Sequence, residues 1–230
     1  MRLIGLLGGM SWESSAEYYR LANQLVRERV GGLASARLLL HSVDFADVER
    51  LQAEGRWDEA GDLLAAAAAG LEAGGAQLLV LCTNTMHKVA PAIEDAVTIP
   101  LLHIGDVTAR AVRAAGVGRV GLLATAYTME QSFLRERLAG HGLTVLVPDA
   151  DDRALVHRII YEELCRGIVT QESRQAYREV IGRLVTAGAE GVVLGCTEIE
   201  LLVGQTDAAV PVFPTTRLHV QAAVEAALGD

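Results

Sequence analysis

Along the 230-residue chain, short and nearly unbroken apolar runs alternate with longer stretches in which apolar positions recur every three or four residues. The short runs cover residues 3–7, 36–42, 78–81, 101–103, 120–124, 143–147, 192–194 and 210–213. A run without polar alternation suits a strand covered on both faces, the usual state of parallel strands. The helical period appears over residues 14–30, 44–54, 57–73, 104–115, 127–139, 153–166, 171–186 and 215–228. This alternation predicts an α/β fold with parallel sheets flanked by helices.

Two of the runs repeat. Gly75-Ala76-Gln77-Leu78-Leu79-Val80-Leu81-Cys82-Thr83-Asn84 matches Gly188-Ala189-Glu190-Gly191-Val192-Val193-Leu194-Gly195-Cys196-Thr197, and Ile4-Gly5-Leu6-Leu7-Gly8 matches Val120-Gly121-Leu122-Leu123-Ala124. The matches keep their order and nearly their spacing, which points to two pseudo-symmetric lobes. The expected division is 1–104 plus 211–230 for one lobe and 105–210 for the other, with crossings near 104–117 and 210–214. A duplication of this kind is expected to open a cleft faced by the carboxyl ends of both sheets, where open α/β sheets bind ligands.

The strand ends facing such a cleft would present Gly8-Gly9-Met10-Ser11, Thr83-Asn84-Thr85, Thr125-Ala126-Tyr127-Thr128 and Cys196-Thr197-Glu198. Each precedes a helix candidate, so free backbone N–H groups and hydroxyl caps would ring the site and suit a carboxylate. Cys196 stands at one of these junctions. An ordinary thiol has a pKa of ~8.5, and a helix N-terminus is expected to lower it and make Cys196 a base or nucleophile. In the ungapped repeat Cys196 lies opposite Thr83, whereas Cys82 lies opposite Gly195. Strand side chains alternate faces, so Cys82 should point elsewhere and suits packing. Cys165 falls in a helical stretch before Gly167, with its role open.

His87 follows the Thr83 loop, where helix packing and a polar role are both open, and His103 ends a strand and is placed to orient other groups. His41, His141, His157 and His219 show no metal or triad spacing, and the Gly8-Gly9 loop lacks the dinucleotide-binding G-x-G-x-x-G pattern.

Composition narrows the partners. A formal net charge of −9 leaves no basic patch for nucleic acid or an anionic membrane. The N-terminal apolar run is too brief for a secretory signal, and the longest apolar stretch, 63–71, falls short of the ~20 residues of a membrane span. Three scattered cysteines form neither a disulfide framework nor a CxxC zinc pattern. These features lead to the expectation of a cytoplasmic protein with reduced thiols, no metal and a small-molecule partner. Lys88 is the sole lysine, which argues against pyridoxal phosphate.

Gly5-Leu6-Leu7-Gly8-Gly9-Met10-Ser11, Thr83-Asn84-Thr85-Met86-His87 and Gly195-Cys196-Thr197-Glu198 resemble the signatures of the cofactor-independent aspartate/glutamate racemase family. The resemblance spans nearly the whole chain. It implies a two-base racemase without metal or cofactor, commonly a homodimer, in which two facing groups, usually both cysteines, flank the substrate α-carbon. This chain departs from that pattern, since the family's Cys-Asn-Thr corresponds here to Thr83-Asn84-Thr85, as in a subgroup similar to L-aspartate/L-glutamate-specific racemases. By that analogy Cys196 deprotonates the L-enantiomer and Thr83 serves the other face. Asn84, Thr85, Thr125, Thr128, Thr197 and Glu198 would bind the α-carboxylate and ammonium groups. Gly9, Met10, Ser11 and Gln52 would shape the side-chain end. Cys165 falls where related sequences often carry a lysine for the distal carboxylate, and Arg50, Gln52 and the cleft hydroxyls are candidates to replace it. The alternatives are a single-cysteine arylmalonate-type decarboxylase or a maleate-type isomerase of the same fold, and a non-catalytic ligand-binding module.

Overall fold

The computed structural model describes residues 1–229. It divides into two compact units, Met1–Ile104 with the chain from His219 onward, and Gly105–Leu218.

Unit 1 holds a four-stranded sheet in the order β2-β1-β3-β4, with every pair parallel. Its strands are β1 (Ile4–Gly8), β2 (Leu38–Ser42), β3 (Leu78–Leu81) and β4 (Leu101–Leu102). β1 and β3 are buried along their whole length, as their unbroken apolar sequences require. Helices α1 (Trp12–Val30), α2 (Phe45–Ala53), α3 (Trp57–Ala73) and α4 (Ala90–Ala96) complete the unit, together with the C-terminal part of α11 (Thr215–Leu228). α1 buries Ser14, Ser15, Tyr18, Leu21, Ala22 and Val26, a stripe at the spacing that keeps one helical face on the sheet.

Alternation along the strands sends side chains into two cores. Leu7, Leu79 and Leu81 pack with α2 and α3, while Ile4, Leu6, Leu78, Val80 and Cys82 pack with α1 and α11.

Unit 2 repeats the plan. Strands β5 (Arg119–Ala124), β6 (Thr144–Leu146), β7 (Gly191–Gly195) and β8 (Val212–Pro214) form a parallel sheet in the order β6-β5-β7-β8. Its helices are α5 (Ile104–Ala114), whose first residue belongs to unit 1, α6 (Ala126–Glu130), α7 (Ser132–Gly140), α8 (Ala150–Glu162), α9 (Gln171–Thr186) and α10 (Ile199–Leu202). One continuous core, from Val120, Leu122 and Val193 to Tyr177 and Ile160, fills it. The register also repeats: Leu7 pairs with Leu81 in the first sheet, and Leu123 with Leu194 in the second.

The differences from the sequence reading are local. The return crossing expected near 210–214 falls later, at Leu218, because β8 pairs with β7 and so completes the second sheet. The helix expected over 127–139 is two helices, broken at Gln131, whose backbone is extended. The end of the helix expected over 153–166 becomes a separate 3₁₀ turn, Leu164–Arg166. α4 was not among the expected helices, although Pro91 sits in its first turn, where a missing N–H costs nothing.

Candidate active site

Four loops leave the carboxyl ends of the central strands, two in each unit, and they are of two kinds. After β1 and β5 the loop is closed by a hydroxyl cap. Ser11 Oγ accepts from Ser14 N at 3.2 Å at the start of α1, and Thr125 Oγ1 accepts from Thr128 N at 3.4 Å at the start of α6. After β3 and β7 there is no side-chain cap. Thr83 leads into a 3₁₀ turn, Thr85–Val89, and Cys196 into the single turn of α10.

Unit 1 gathers Gly9, Met10, Ser11, Gln52, Thr83, Asn84 and Thr85, all buried. The Gly9 amide donates to Ser15 Oγ at 2.7 Å, and the Ser15 hydroxyl donates to Ser11 O at 3.0 Å, which fastens the first loop onto α1. The same helix reaches the second loop, since the Ser14 hydroxyl donates to Cys82 O at 3.0 Å. Gln52 Nε2 lies 2.8 Å from Met86 Sδ, joining α2 to the 3₁₀ turn. Arg50, a candidate partner for a distal carboxylate, is half exposed on α2 and reaches Asp47 and Glu54 at 3.7 and 3.6 Å. Cys82 points into the core shared with α1 and α11, where burial pushes its thiol well up from the usual range. Lys88 Nζ sits 3.7 Å over the Trp57 ring.

Unit 2 gathers Thr125, Thr128, Cys196, Thr197 and Glu198. Ala124 pairs with Gly195, so Thr125 and Cys196 leave adjacent strands side by side. The Thr125 and Thr128 hydroxyls are 3.2 Å apart, and Thr128 is fully buried. Two threonines at the start of α11 support the other strand end. The Thr215 hydroxyl donates to Leu194 O at 2.8 Å, and the Thr216 hydroxyl donates to Thr197 Oγ1 at 3.1 Å.

Cys196 Sγ donates to Glu198 Oε2 at 3.0 Å. Its thiol is pushed well above the ordinary range, first by burial and then by the Glu198 carboxylate, with Cys165 adding to the effect. The expected lowering by a helix N-terminus is therefore overturned. α10 has only four residues, and a carboxylate rather than a cation faces the sulfur. The thiol therefore keeps its proton, which it shares in a hydrogen bond with the carboxylate.

The shared register places Thr83 and Cys196 alike, each two residues beyond the paired leucine of its central strand. Sequence reasoning missed Ser14, Thr215 and Thr216. All three act on main-chain or hydroxyl groups of distant segments, and no local motif marks them. Among the described residues, no group of three or more His, Cys, Asp and Glu side chains is placed to hold a metal ion. Nor is any helix among them long and apolar enough to cross a membrane.

The family model for Asp/Glu/Hydantoin racemases matches residues 7–223. A solved structure from Yersinia pestis, provisionally an Asp/Glu racemase, is 54% identical with a TM-score of 0.93, covering 99% of this chain and 100% of that one. An aspartate racemase homologue from Pyrococcus horikoshii is 32% identical with a TM-score of 0.88, again over 99% and 100%. A glutamate racemase from Roseiflexus is 31% identical over 163 residues, 64% of this chain and 54% of that protein, so the match spans about half of its length.

Proposed function

The chain belongs to the Asp/Glu/Hydantoin racemase family, and we propose that it racemises aspartate or glutamate without a cofactor, moving the α-proton between Cys196 and Thr83. The observation that carries this reading is the common register of those two residues at the ends of β3 and β7. Two equivalent strand ends are what a reaction at two faces of one carbon needs.

In this reading Asn84, Thr85, Thr125, Thr128 and Thr197 hold the α-carboxylate and ammonium groups, and Gly9, Met10, Ser11 and Gln52 bound the side-chain end. Glu198 takes the proton of the Cys196 thiol, along the contact already formed. The resulting thiolate removes the α-proton of the L-enantiomer and becomes a thiol again. The carbanion, spread into its carboxylate, takes a proton from the Thr83 hydroxyl on its other face. Solvent carries the proton held by Glu198 back to Thr83, which closes the cycle.

Glu198 thus moves from a substrate-binding role to that of proton acceptor. The support is that its carboxylate already faces the sulfur. The resemblance further suggests a cytoplasmic homodimer, which sedimentation would test.

Incubation with L-aspartate and L-glutamate in deuterated solvent tests the reading. Wild-type protein should incorporate deuterium at the α-carbon and lose optical rotation, and Cys196→Ala should do neither. Exchange no faster in wild type than in Cys196→Ala would defeat it. Carbon dioxide release from a substituted malonate, without exchange, would favour the decarboxylase.

A further inference from the structure

We propose that His87 is a positioning residue, which fixes the main chain carrying Thr83 by holding one neutral tautomer between two buried partners. The inference rests on the reading that Thr83 serves one face of the substrate.

The need for such a residue follows from the turn. After β3 the chain enters a 3₁₀ turn, so the His87 amide bonds to Asn84 O at 3.1 Å, one residue short of Thr83. The His87 side chain supplies the donor that an α-turn would have given. Its Nδ1 lies 2.7 Å from Thr83 O. A carbonyl only accepts, so Nδ1 carries the hydrogen. The other ring nitrogen is settled in the same way. The Ile104 amide donates to Nε2 at 3.2 Å, so Nε2 carries none.

Ile104 opens α5, and the first amides of a helix have no acceptor within it. His87 therefore ties the strand end that carries Thr83 to a helix start 17 residues farther along the chain. His87 is 3% exposed and Ile104 is fully buried, so no solvent competes for these bonds.

Two further imidazoles hold the ring. The His103 ring centroid is 4.6 Å from that of His87, and the His219 centroid 5.8 Å. His219 is itself fixed, since Leu102 O lies 2.7 Å from Nε2 and Tyr18 Oη lies 2.9 Å from Nδ1. A second proton on His87 would set N–H against the Ile104 N–H and break the tie. Only the neutral ring makes both bonds.

His87 touches the Thr83 carbonyl and not its hydroxyl, so it acts through placement. A displacement of about 1 Å at a reacting group can cost on the order of 10²-fold in rate.

Two substitutions separate the two bonds. His87→Asn keeps a donor near the Nδ1 position and loses the reach to Ile104. His87→Gln reaches the Nε2 position and loses the donor at Thr83 O. In deuterated solvent with L-aspartate or L-glutamate, deuterium returned from the Cys196 side appears with retention, and protonation on the Thr83 side appears with inversion. In His87→Gln, inversion should fall ~10-fold or more against retention, a misplacement effect confined to one face. In His87→Asn, which keeps the bond to Thr83 O and loses the anchor at Ile104, the ratio should fall too, but by less than in His87→Gln.

Equal loss of both products in both variants, with wild type active, would reduce His87 to a packing residue and overturn the proposal. A wild-type ratio in His87→Gln would overturn it too. Imidazole nitrogen NMR of the unaltered protein gives an independent reading, and a hydrogen found on Nε2 of His87 would be fatal. If wild type yields neither product, the racemase reading itself fails and the proposal falls with it.

Discussion

The Cys196 thiol donates to the Glu198 carboxylate across 3.0 Å, and the two side chains belong to residues only two apart in the chain. Burial first, and then that carboxylate, hold the thiol well above its ordinary range. Replacing Glu198 with Gln removes a negative charge from beside the sulfur, so the thiol should become more acidic. The pH profile for alkylation of Cys196 by iodoacetamide should then move to lower pH. Racemisation should nevertheless fall by ~10²-fold or more, the usual scale for loss of a general acid or base. A downward shift accompanied by faster turnover would mean that Glu198 only restrains the thiol.

The proposed pairing of Thr83 with Cys196 leads to a second expectation. An alkyl hydroxyl ionises far above a thiol, whose ordinary pKa is ~8.5, so at neutral pH Thr83 is present as a proton donor and not as a base. Thr83→Cys should raise exchange from the D-enantiomers by ~10-fold or more, while initiation from the L-enantiomers at Cys196 changes less. Initial exchange rates for both enantiomers of aspartate and glutamate check this. An unchanged D-to-L ratio would remove Thr83 from the chemistry.

Much of this arrangement was legible in the chain. The central strands β1, β3 and β7 are unbroken apolar runs, and the Thr83–Cys196 correspondence appears in the ungapped repeat because both copies fall on a central strand of a sheet. The direction of the Cys196 shift was not legible. It depends on the chain making a single turn after β7 rather than a longer helix, so that Glu198 folds back onto the sulfur. The partners of His87 were hidden for a different reason. One is a carbonyl four residues back and the other an amide beyond β4, and neither kind of group leaves a mark in sequence. Ser14 was hidden in the same way, its partner being the Cys82 carbonyl.

Gly9 tests the first loop. Its φ is +96°, in the left-handed region, and a Cβ built there would overlap the Val43 carbonyl and amide. Val43 is held in place because its amide donates to Gly8 O at 3.0 Å. Gly9→Ala should therefore lose ~1–3 kcal/mol from backbone strain. It should also raise KM more than it lowers kcat, because Met10 and Ser11 move while Cys196 and Thr83 stay. Urea midpoints and steady-state kinetics separate the two effects. A drop in kcat alone would contradict the substrate-shaping role proposed for this loop.

His219 should make unit 1 sensitive to acid. It is fully buried, and its pKa is lowered from 6.5 to about 4, chiefly by burial and further by the charge of His103, against the bond to Leu102 O. The titratable groups facing it are Tyr18, His87 and His103. The folded ring stays neutral while the unfolded ring takes a proton, so this contribution to stability is whole above pH 6.5. It is lost progressively as the pH falls from 6.5 towards about 4, and changes no further below that. Within that window one proton taken up on unfolding corresponds to ~1.4 kcal/mol per pH unit at most. His219→Gln keeps an amide donor for Leu102 O but cannot titrate. Its urea stability should be lower than wild type at pH 7, yet should fall less steeply between pH 6 and about 4.5, a range inside the window set by burial of the ring. Parallel pH profiles for the two proteins would show that the acid sensitivity of unit 1 lies elsewhere.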